Sequence, residues 1–181
     1  MLKENKADII CMIEAYGSAA DIAKSLGYHY YTPDAKANLC IFSRYKLTDF
    51  GVPKGLSHSA FIRATAHVSS TQRVRIYCVW LTSGGRHIAE IKNKNLSDKD
   101  FVKGDDNRAS MMKNFLARPE VKADIANHKD VPVIVAGDFN CVSHLDYNDS
   151  TKALTLGRVL NNTTTHDLIM TQGFADSYHQ V

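Results

Sequence analysis

Three oxygen-bearing side chains lie at the ends of two apolar segments of this 181-residue chain. Glu14 follows the run 9–13, and Asp138 and Asn140 follow the run 131–136, which reads VPVIVA. In an extended segment, residues i and i+2 point the same way, so Asp138 and Asn140 share a face. Carboxylate and amide oxygens suit a hard cation such as Mg²⁺ or Mn²⁺ better than zinc. We therefore expect metal-assisted chemistry where the two strand ends converge.

The segments that carry these residues are short and apolar. The run 131–136 is continuous and β-branched, as expected of a strand buried on both faces. Alternating or apolar patterns predict further strands at 28–31, 39–43, 61–68 and 73–81, with a hairpin turn at 69–72. Helical spacing predicts helices at 17–26, with Gly27 in the C-cap position, at 107–116 and at 166–172. The polar span 82–106 is predicted to be a long loop with a helical piece. Strands with helices between them favour a layered sheet-and-helix domain.

Composition excludes several classes of protein. The chain is 44% hydrophobic and 23% charged, which is ordinary for a globular domain and argues against disorder. The net charge of +3 permits a phosphate-bearing substrate without requiring nucleic acid. The four cysteines never occur as C-x-x-C, so neither zinc-ribbon nor thioredoxin spacing is present, and disulfides between neighbouring strands stay open. No segment has the length of a bilayer-spanning helix, and the first residues lack the apolar region of a signal peptide, which leaves localisation unknown.

Four motifs, in order along nearly the whole chain, carry a resemblance. ADIICMIE, NLCIFSR, PVIVAGDFN and GFADSY together resemble the endonuclease/exonuclease/phosphatase superfamily, whose fold is that of pancreatic deoxyribonuclease. GDFN after an apolar strand is the most specific of them. The stretches GDFNCVSHLDY and GFADSYHQV are most similar to a bacterial branch of that superfamily. The resemblance implies an α/β four-layer sandwich of two packed β-sheets flanked by helices, with the active site at the sheet rim.

The resemblance also implies roles. Glu14 matches a metal-binding glutamate, Asp138 the aspartate that orients or deprotonates the attacking water, and Asn140 the amide that holds a phosphate oxygen or the nucleophile. The implied activity is hydrolysis of a phosphodiester or phosphomonoester with Mg²⁺ or Mn²⁺. The substrate would be nucleic acid or a phospholipid or inositol phosphate head group, since fold alone does not choose among them. Trp80 falls where the family often has a His or Tyr that contacts phosphate, and an indole cannot shuttle a proton.

Two departures from the family pattern concern the chain ends. The family begins with an Asn-bearing strand and closes with an Asp-His motif, and residues 1–181, taken as one domain, lack both. We therefore expect weak or no hydrolysis by this chain. The alternative is a non-catalytic binding module, or a degenerate one, with the same fold.

Other polar residues have both a site role and an ordinary role open to them. His144 follows GDFN and either reaches substrate or caps a turn. Arg44 either contacts phosphate or pairs on the surface, and Asn38 either flanks the pocket or forms a turn. His166 either replaces the family's terminal His or lies beside a capping Thr. Arg108 faces either the rim or water.

Overall fold

The computed structural model describes residues 2–83, 95–160 and 163–180. These residues form two compact units, the first taken from 2–80 and 115–138 and the second from the described parts of 81–114 and 139–180. The helices and strands, in chain order, are α1 (Leu2–Asn5), β1 (Ile9–Met12), α2 (Ala19–Leu26), β2 (His29–Tyr31), β3 (Cys40–Ser43), β4 (Leu47–Gly51), β5 (Phe61–His67), β6 (Arg73–Trp80), α3 (Asp98–Phe101), α4 (Asp105–Leu116), α5 (Pro119–Ala126), β7 (Val133–Asp138), a 3₁₀ turn (Asp149–Thr151) and α6 (Thr164–Met170).

The first sheet has the order β1-β3-β2, with both pairings antiparallel. Because side chains alternate along a strand, Cys40 and Phe42 face one way and pack against Ala19 and Ala23 of α2. Helix α2 ends at Gly27, whose φ of +71° is the left-handed conformation that closes a helix, and its N–H bonds to the Ala23 and Lys24 carbonyls.

The second sheet has the order β4-β5-β6-β7, in which β6 and β7 are parallel and the other pairs antiparallel. Strands β5 and β6 form the predicted hairpin, closed by the Ser69 N–H bond to the Gln72 carbonyl at 3.2 Å. Strand β7 follows helix α5, as a parallel connection requires.

The two sheets pack face to face over an apolar core. The buried residues there come from β3 and the residue before it, from the start of β4, and from β5 and β6: Leu39, Ile41, Leu47, Ile62, Ala64, Ala66, Ile76 and Cys78. Ile9, Cys11 and Ile13, from β1 and the residue after it, pack against the same cluster. Cys11 and Cys78 therefore act as small apolar residues of this core, and none of the four cysteines is in a disulfide. Burial raises the pKa of the Cys40 thiol to about 12.

Aromatic residues and a helix cover the other face of the second sheet. The Phe61 ring stacks on that of Phe115 with centroids 5.2 Å apart, and Tyr77 meets Phe115 edge-on at 5.0 Å. The Tyr77 hydroxyl donates to the Asp124 carboxylate of α5. The first unit therefore has the layers helix, sheet, sheet and helix, which confirms the predicted α/β fold of two packed sheets with flanking helices.

The second unit is tied together by buried polar groups. The guanidinium of Arg108, which is 0% exposed, donates to the carbonyls of Ser83 and Lys103, each at 3.3 Å. Asp105 accepts the Thr165 hydroxyl at 2.6 Å and so joins α4 to α6. Arg108 therefore does not face water, because its guanidinium is buried against carbonyl oxygens and lies 3.8 Å from the Asp105 carboxylate.

Several sequence predictions need correction. The run at 131–136 is a strand only from residue 133, and it is an edge strand with Ile134 43% exposed, not a strand buried on both faces. Strand β4 and helix α5 were not predicted. Part of the predicted loop at 82–106 falls in 84–94, outside the described residues, and α3 is its helical piece. None of the helices in the described ranges combines the length and hydropathy that a membrane-spanning helix requires.

Candidate active site

The ends of β1 and β7 approach one another through Cys78 of β6. The Cys78 thiol donates to the Met12 carbonyl at 3.8 Å, across the interface between the sheets. On its own sheet, Cys78 pairs with Ala136 of β7. Glu14 and Asp138 each follow one of these contact residues by two positions. Both carboxylates therefore leave strand ends that are joined at the same point of the first unit.

Glu14 has an unusual backbone and an exposed side chain. Its φ is +58°, in the left-handed region that non-glycine residues rarely adopt. The Tyr16 hydroxyl donates to Glu14 Oε1 at 3.0 Å, and this bond is the main reason why the pKa of Tyr16 is raised above its ordinary value. Glu14 thus presents a solvent-accessible carboxylate with one hydroxyl partner.

Asn38 lies beside Glu14. Its carbonyl accepts the Ala15 N–H at 3.0 Å, and β3, which starts two residues later, begins with Cys40 opposite Met12. Asn38 is half-buried. The structure therefore brings Asn38 to the Glu14 end of the first sheet, where the sequence analysis expected it to flank a pocket.

Asp138 is positioned by the close pairing of β7 with β6. Trp80 is its register partner, and the Trp80 N–H bonds to the Ala60 carbonyl at 2.8 Å. The preceding residue, Gly137, has a φ of +141°, and a Cβ placed on it would lie 2.0 Å from the Val79 carbonyl oxygen. Only glycine allows this approach of the two backbones. The Trp80 ring packs against the inter-sheet core, with part of its surface exposed.

Asn140 belongs to the second unit. It also has a left-handed backbone, with φ of +50°, which asparagine tolerates better than most residues. Its amide Nδ2 donates to the Leu81 carbonyl at 2.9 Å. This bond fixes the orientation of the amide group.

Arg44 lies at the other end of β1. Antiparallel pairing sets Ser43 opposite Ile9, and the Arg44 N–H bonds to the Asp8 carbonyl at 3.0 Å. The guanidinium donates to the Tyr28 hydroxyl at 2.7 Å. This location contradicts the predicted contact with substrate at the rim, because the strand direction carries Arg44 away from Glu14.

His144 lies in the second unit, beside His166. The two rings meet edge-on with centroids 5.0 Å apart, and Nδ1 of His144 lies 3.7 Å from Oδ1 of Asp167. Residue type and position had indicated each histidine separately, but not their contact or the aspartates around them. A signal was present, because His and Asp recur at short spacing in HLD, HD and DSYH within the last 40 residues of the chain.

The donor groups at the Glu14 end fit the ion that the sequence implies. Glu14, Asn38 and Asp138 offer carboxylate and carboxamide oxygens, which are the ligands that Mg²⁺ and Mn²⁺ prefer. The nearby Cys78 thiol donates to a carbonyl inside the core. A soft metal would therefore find no accessible sulfur among these residues.

Comparison with known proteins agrees with this architecture. The model of the Endonuclease/Exonuclease/phosphatase family matches residues 1–176, so the chain belongs to that family. An AP endonuclease from Archaeoglobus fulgidus has a similar structure, with a TM-score of 0.62, 19% identity and coverage of 99% of this chain and 66% of that one. A beta toxin from Staphylococcus aureus gives a TM-score of 0.51 at 13% identity, covering 94% of this chain and 60% of that chain.

A sequence relative also exists among curated proteins. The uncharacterized protein F14F9.5 of Caenorhabditis elegans is 32% identical over 103 residues, which cover 55% of this chain and 32% of the relative. The chain therefore spans about a third of that protein and 66% of the archaeal endonuclease. At these identities, the solved structures show a shared fold.

Proposed function

We propose that this chain carries the metal-binding and water-activating residues of a phosphoester hydrolase that acts with a divalent metal ion. The observation that supports it most is the link through Cys78, which joins the strand ends that precede Glu14 and Asp138. Membership of a family of nucleases and phosphatases that generally depend on divalent metals supports the same reaction.

Glu14 is the proposed metal ligand. Its carboxylate is exposed, has one hydroxyl partner at 3.0 Å and leaves the chain at a fixed backbone turn. When bound, Mg²⁺ or Mn²⁺ at this carboxylate supplies charge neutralisation and polarisation of the phosphate oxygens. Asn38, whose carbonyl holds the Ala15 N–H, keeps the Glu14 segment against the first sheet and flanks the proposed substrate position.

Asp138 is the proposed general base. Its carboxylate would accept a proton from the attacking water at one oxygen while the other oxygen orients that water. Gly137 and the pairing with Trp80 fix the main chain from which the carboxylate extends. Trp80 would offer its indole N–H or ring face to the substrate. Asn140 would donate its amide to a phosphoryl oxygen, an assignment that rests on its place in the GDFN motif.

The substrate is a phosphodiester or phosphomonoester. The similarity to an AP endonuclease makes DNA one candidate, and the net charge of +3 is compatible with any phosphate ester. Phospholipid and inositol phosphate head groups carry the same reacting group. A screen of the three classes with Mn²⁺ and with Mg²⁺ would separate them.

The test combines metal binding with hydrolysis. Binding of Mn²⁺, followed by electron paramagnetic resonance, should weaken by about 10²-fold in Glu14→Gln, which removes a direct ligand. Hydrolysis of bis(p-nitrophenyl) phosphate should fall by about 10²–10⁴ in Asp138→Asn, the range for loss of a general base.

Two matched variants serve as controls. Glu4→Gln removes a glutamate before β1 instead of after it, and Asp130→Asn removes an aspartate before β7. Both should behave as wild type. Unchanged Mn²⁺ affinity in Glu14→Gln would refute the assignment of the ligand. A wild-type chain that neither binds Mn²⁺ nor hydrolyses any ester would favour the non-catalytic alternative.

A further inference from the structure

The second unit contains a cluster of histidines and aspartates that the proposed hydrolysis does not use. Its centre consists of His144, His166 and Asp167, which together could offer three ligand atoms within 4.8 Å of one another. We call these three residues the His-Asp cluster. His144 lies in the loop after β7, whereas His166 and Asp167 lie in the first turn of α6.

The donor atoms of the cluster lie close together. Oδ1 of Asp167 lies 3.7 Å from Nδ1 of His144 and 4.0 Å from Nδ1 of His166. Ligands at 2.0–2.2 Å in a tetrahedral zinc site lie about 3.4 Å from one another. The two separations from Asp167 exceed that value by about 0.3 and 0.6 Å, and all three ligand atoms lie within 4.8 Å of one another, so side-chain rotations must close the remaining gaps.

The imidazole nitrogens of the cluster are buried but not hydrogen-bonded. Nδ1 of His144 and both ring nitrogens of His166 have no hydrogen-bond partner within the described part of the chain. Each of them nevertheless faces a carboxylate at 3.6–4.0 Å. Buried polar atoms normally have a partner, so this arrangement indicates that another group completes the site.

A second layer of polar residues surrounds the cluster. Nε2 of His166 lies 3.6 Å from Oδ2 of Asp176, and Nε2 of His179 lies 3.1 Å from Oδ1 of Asp146. With neutral imidazoles, the three histidines and three aspartates (the cluster and this layer) carry three negative charges. A divalent cation would offset two of them.

We propose that the His-Asp cluster binds a divalent transition metal of the zinc class. Nδ1 of His144, Nδ1 of His166 and Oδ1 of Asp167 are the ligands. The remaining N–H of His166 would then donate to Asp176, the carboxylate–histidine–metal arrangement that is common around zinc. Two imidazoles and one carboxylate suit Zn²⁺ and its first-row neighbours, not Mg²⁺. Three protein ligands leave one tetrahedral position for water.

The site would also have a structural effect. It connects the loop after β7 with α6, and its second layer adds Asp176 and His179 from the segment after α6. Metal binding would therefore order these three segments of the second unit together. The proposal depends on different residues from those of the proposed hydrolysis, so either can fail without the other.

The experiment measures metal binding directly. The metal-free full chain is titrated with Zn²⁺ in competition with a chromophoric chelator. A second titration uses Co²⁺ and follows visible absorption, because an intense Co²⁺ spectrum indicates four-coordination. We expect one tight Zn²⁺ per chain and an intense Co²⁺ spectrum. His144→Gln, His166→Gln and Asp167→Asn should each lower Zn²⁺ affinity by more than about 100-fold, and Asp176→Asn by about 10–100-fold, as for an outer-layer residue.

The matched control is His58→Gln. His58 also faces an aspartate, Asp34, at 3.7 Å, but both side chains are more than half exposed. This variant should bind Zn²⁺ as wild type does. The proposal is overturned if the wild type fails to bind Zn²⁺, if His58→Gln loses as much affinity as His166→Gln, or if a thiolate-to-Co²⁺ band reveals a cysteine ligand. Should a cluster variant fail to fold, thermal unfolding of the wild type with and without Zn²⁺ decides, because a bound ion must raise the Tm.

Discussion

Replacing Gly137 with alanine tests whether the close approach of β7 to β6 sets the position of Asp138. The added Cβ would lie 2.0 Å from the Val79 carbonyl oxygen and 2.9 Å from the Val79 nitrogen and carbonyl carbon. These are backbone atoms of β6, an inner strand of the second sheet, so no flexible side chain can move aside. The strand itself must shift.

The expected cost has two parts. Placing a non-glycine residue at positive φ costs about 1–2 kcal/mol, and forcing β7 away from β6 adds about 1–3 kcal/mol, as overpacking does elsewhere. We therefore expect the free energy of unfolding to fall by about 3 kcal/mol. For a chain of this length, that corresponds to a decrease in Tm of roughly 6–12 °C.

Two other glycines separate these contributions. Gly27 has a φ of +71°, and a Cβ added to it would have no atom within 4 Å. Gly27→Ala should therefore cost only the free energy of placing alanine at positive φ. Gly51 has neither positive φ nor a close neighbour, so Gly51→Ala should change the stability by less than about 1 kcal/mol. The assay is thermal unfolding followed by circular dichroism. If Gly137→Ala is no less stable than Gly27→Ala, the steric reasoning is refuted.

Two further predictions concern buried polar groups. Arg108→Met should lower the free energy of unfolding by about 3 kcal/mol, because it leaves Asp105 and buried carbonyls without their cation. Urea denaturation measures this change. As a control, replacing the exposed Arg73 in Arg73→Met should cost less than about 0.5 kcal/mol. The Cys40 pKa is raised by burial to about 12, so the folded thiol keeps its proton at a pH where the unfolded one loses it. Stability should therefore fall as pH rises from about 9 towards 12, and Cys40→Ala should show a smaller fall in the same titration.

Local sequence patterns predicted the strands that have a regular environment. Strand β6 runs from an exposed first residue to a fully buried centre. Its sequence, RVRIYCVW, shows this as polar and apolar residues that alternate and then become continuously apolar. Strand β4 has one buried residue in five, a register shift near Gly51 and a positive φ at Asp49. An irregular, half-exposed strand leaves no period-2 pattern, so β4 was missed.

Helix α5 has a start signal in its sequence. Pro119 occupies the first helical turn, a position that suits its fixed φ, and Glu120 follows it. Within the helix, however, Val121 is the single buried residue. Its apolar pattern was therefore too weak to indicate a helix.

The site residues differ in how far they depend on tertiary structure. Glu14 and Asp138 were proposed as site residues because each stands at the end of an apolar run, which is a local property. The position of Arg44 depends on which strand pairs with β3 and in which direction, and an isolated motif does not contain that information. The meeting of His144 with His166 depends on how α6 packs on the loop after β7. No local spacing predicts such a contact.

The backbone at Glu14 gives an independent reason to assign its side chain a role. Its left-handed conformation costs a non-glycine residue about 1–2 kcal/mol, and Tyr16, two residues on, has φ of +44° as well. Between them, Ala15 is 4% exposed and its N–H is held by the Asn38 carbonyl, so the turn is fixed by packing. At the end of α2, the chain adopts the same left-handed conformation with a glycine, Gly27. A glycine at position 14 would relieve the strain but would remove the carboxylate. Strain of this kind is found at sites where the side chain is needed, so it supports the proposal that the Glu14 carboxylate binds a cation.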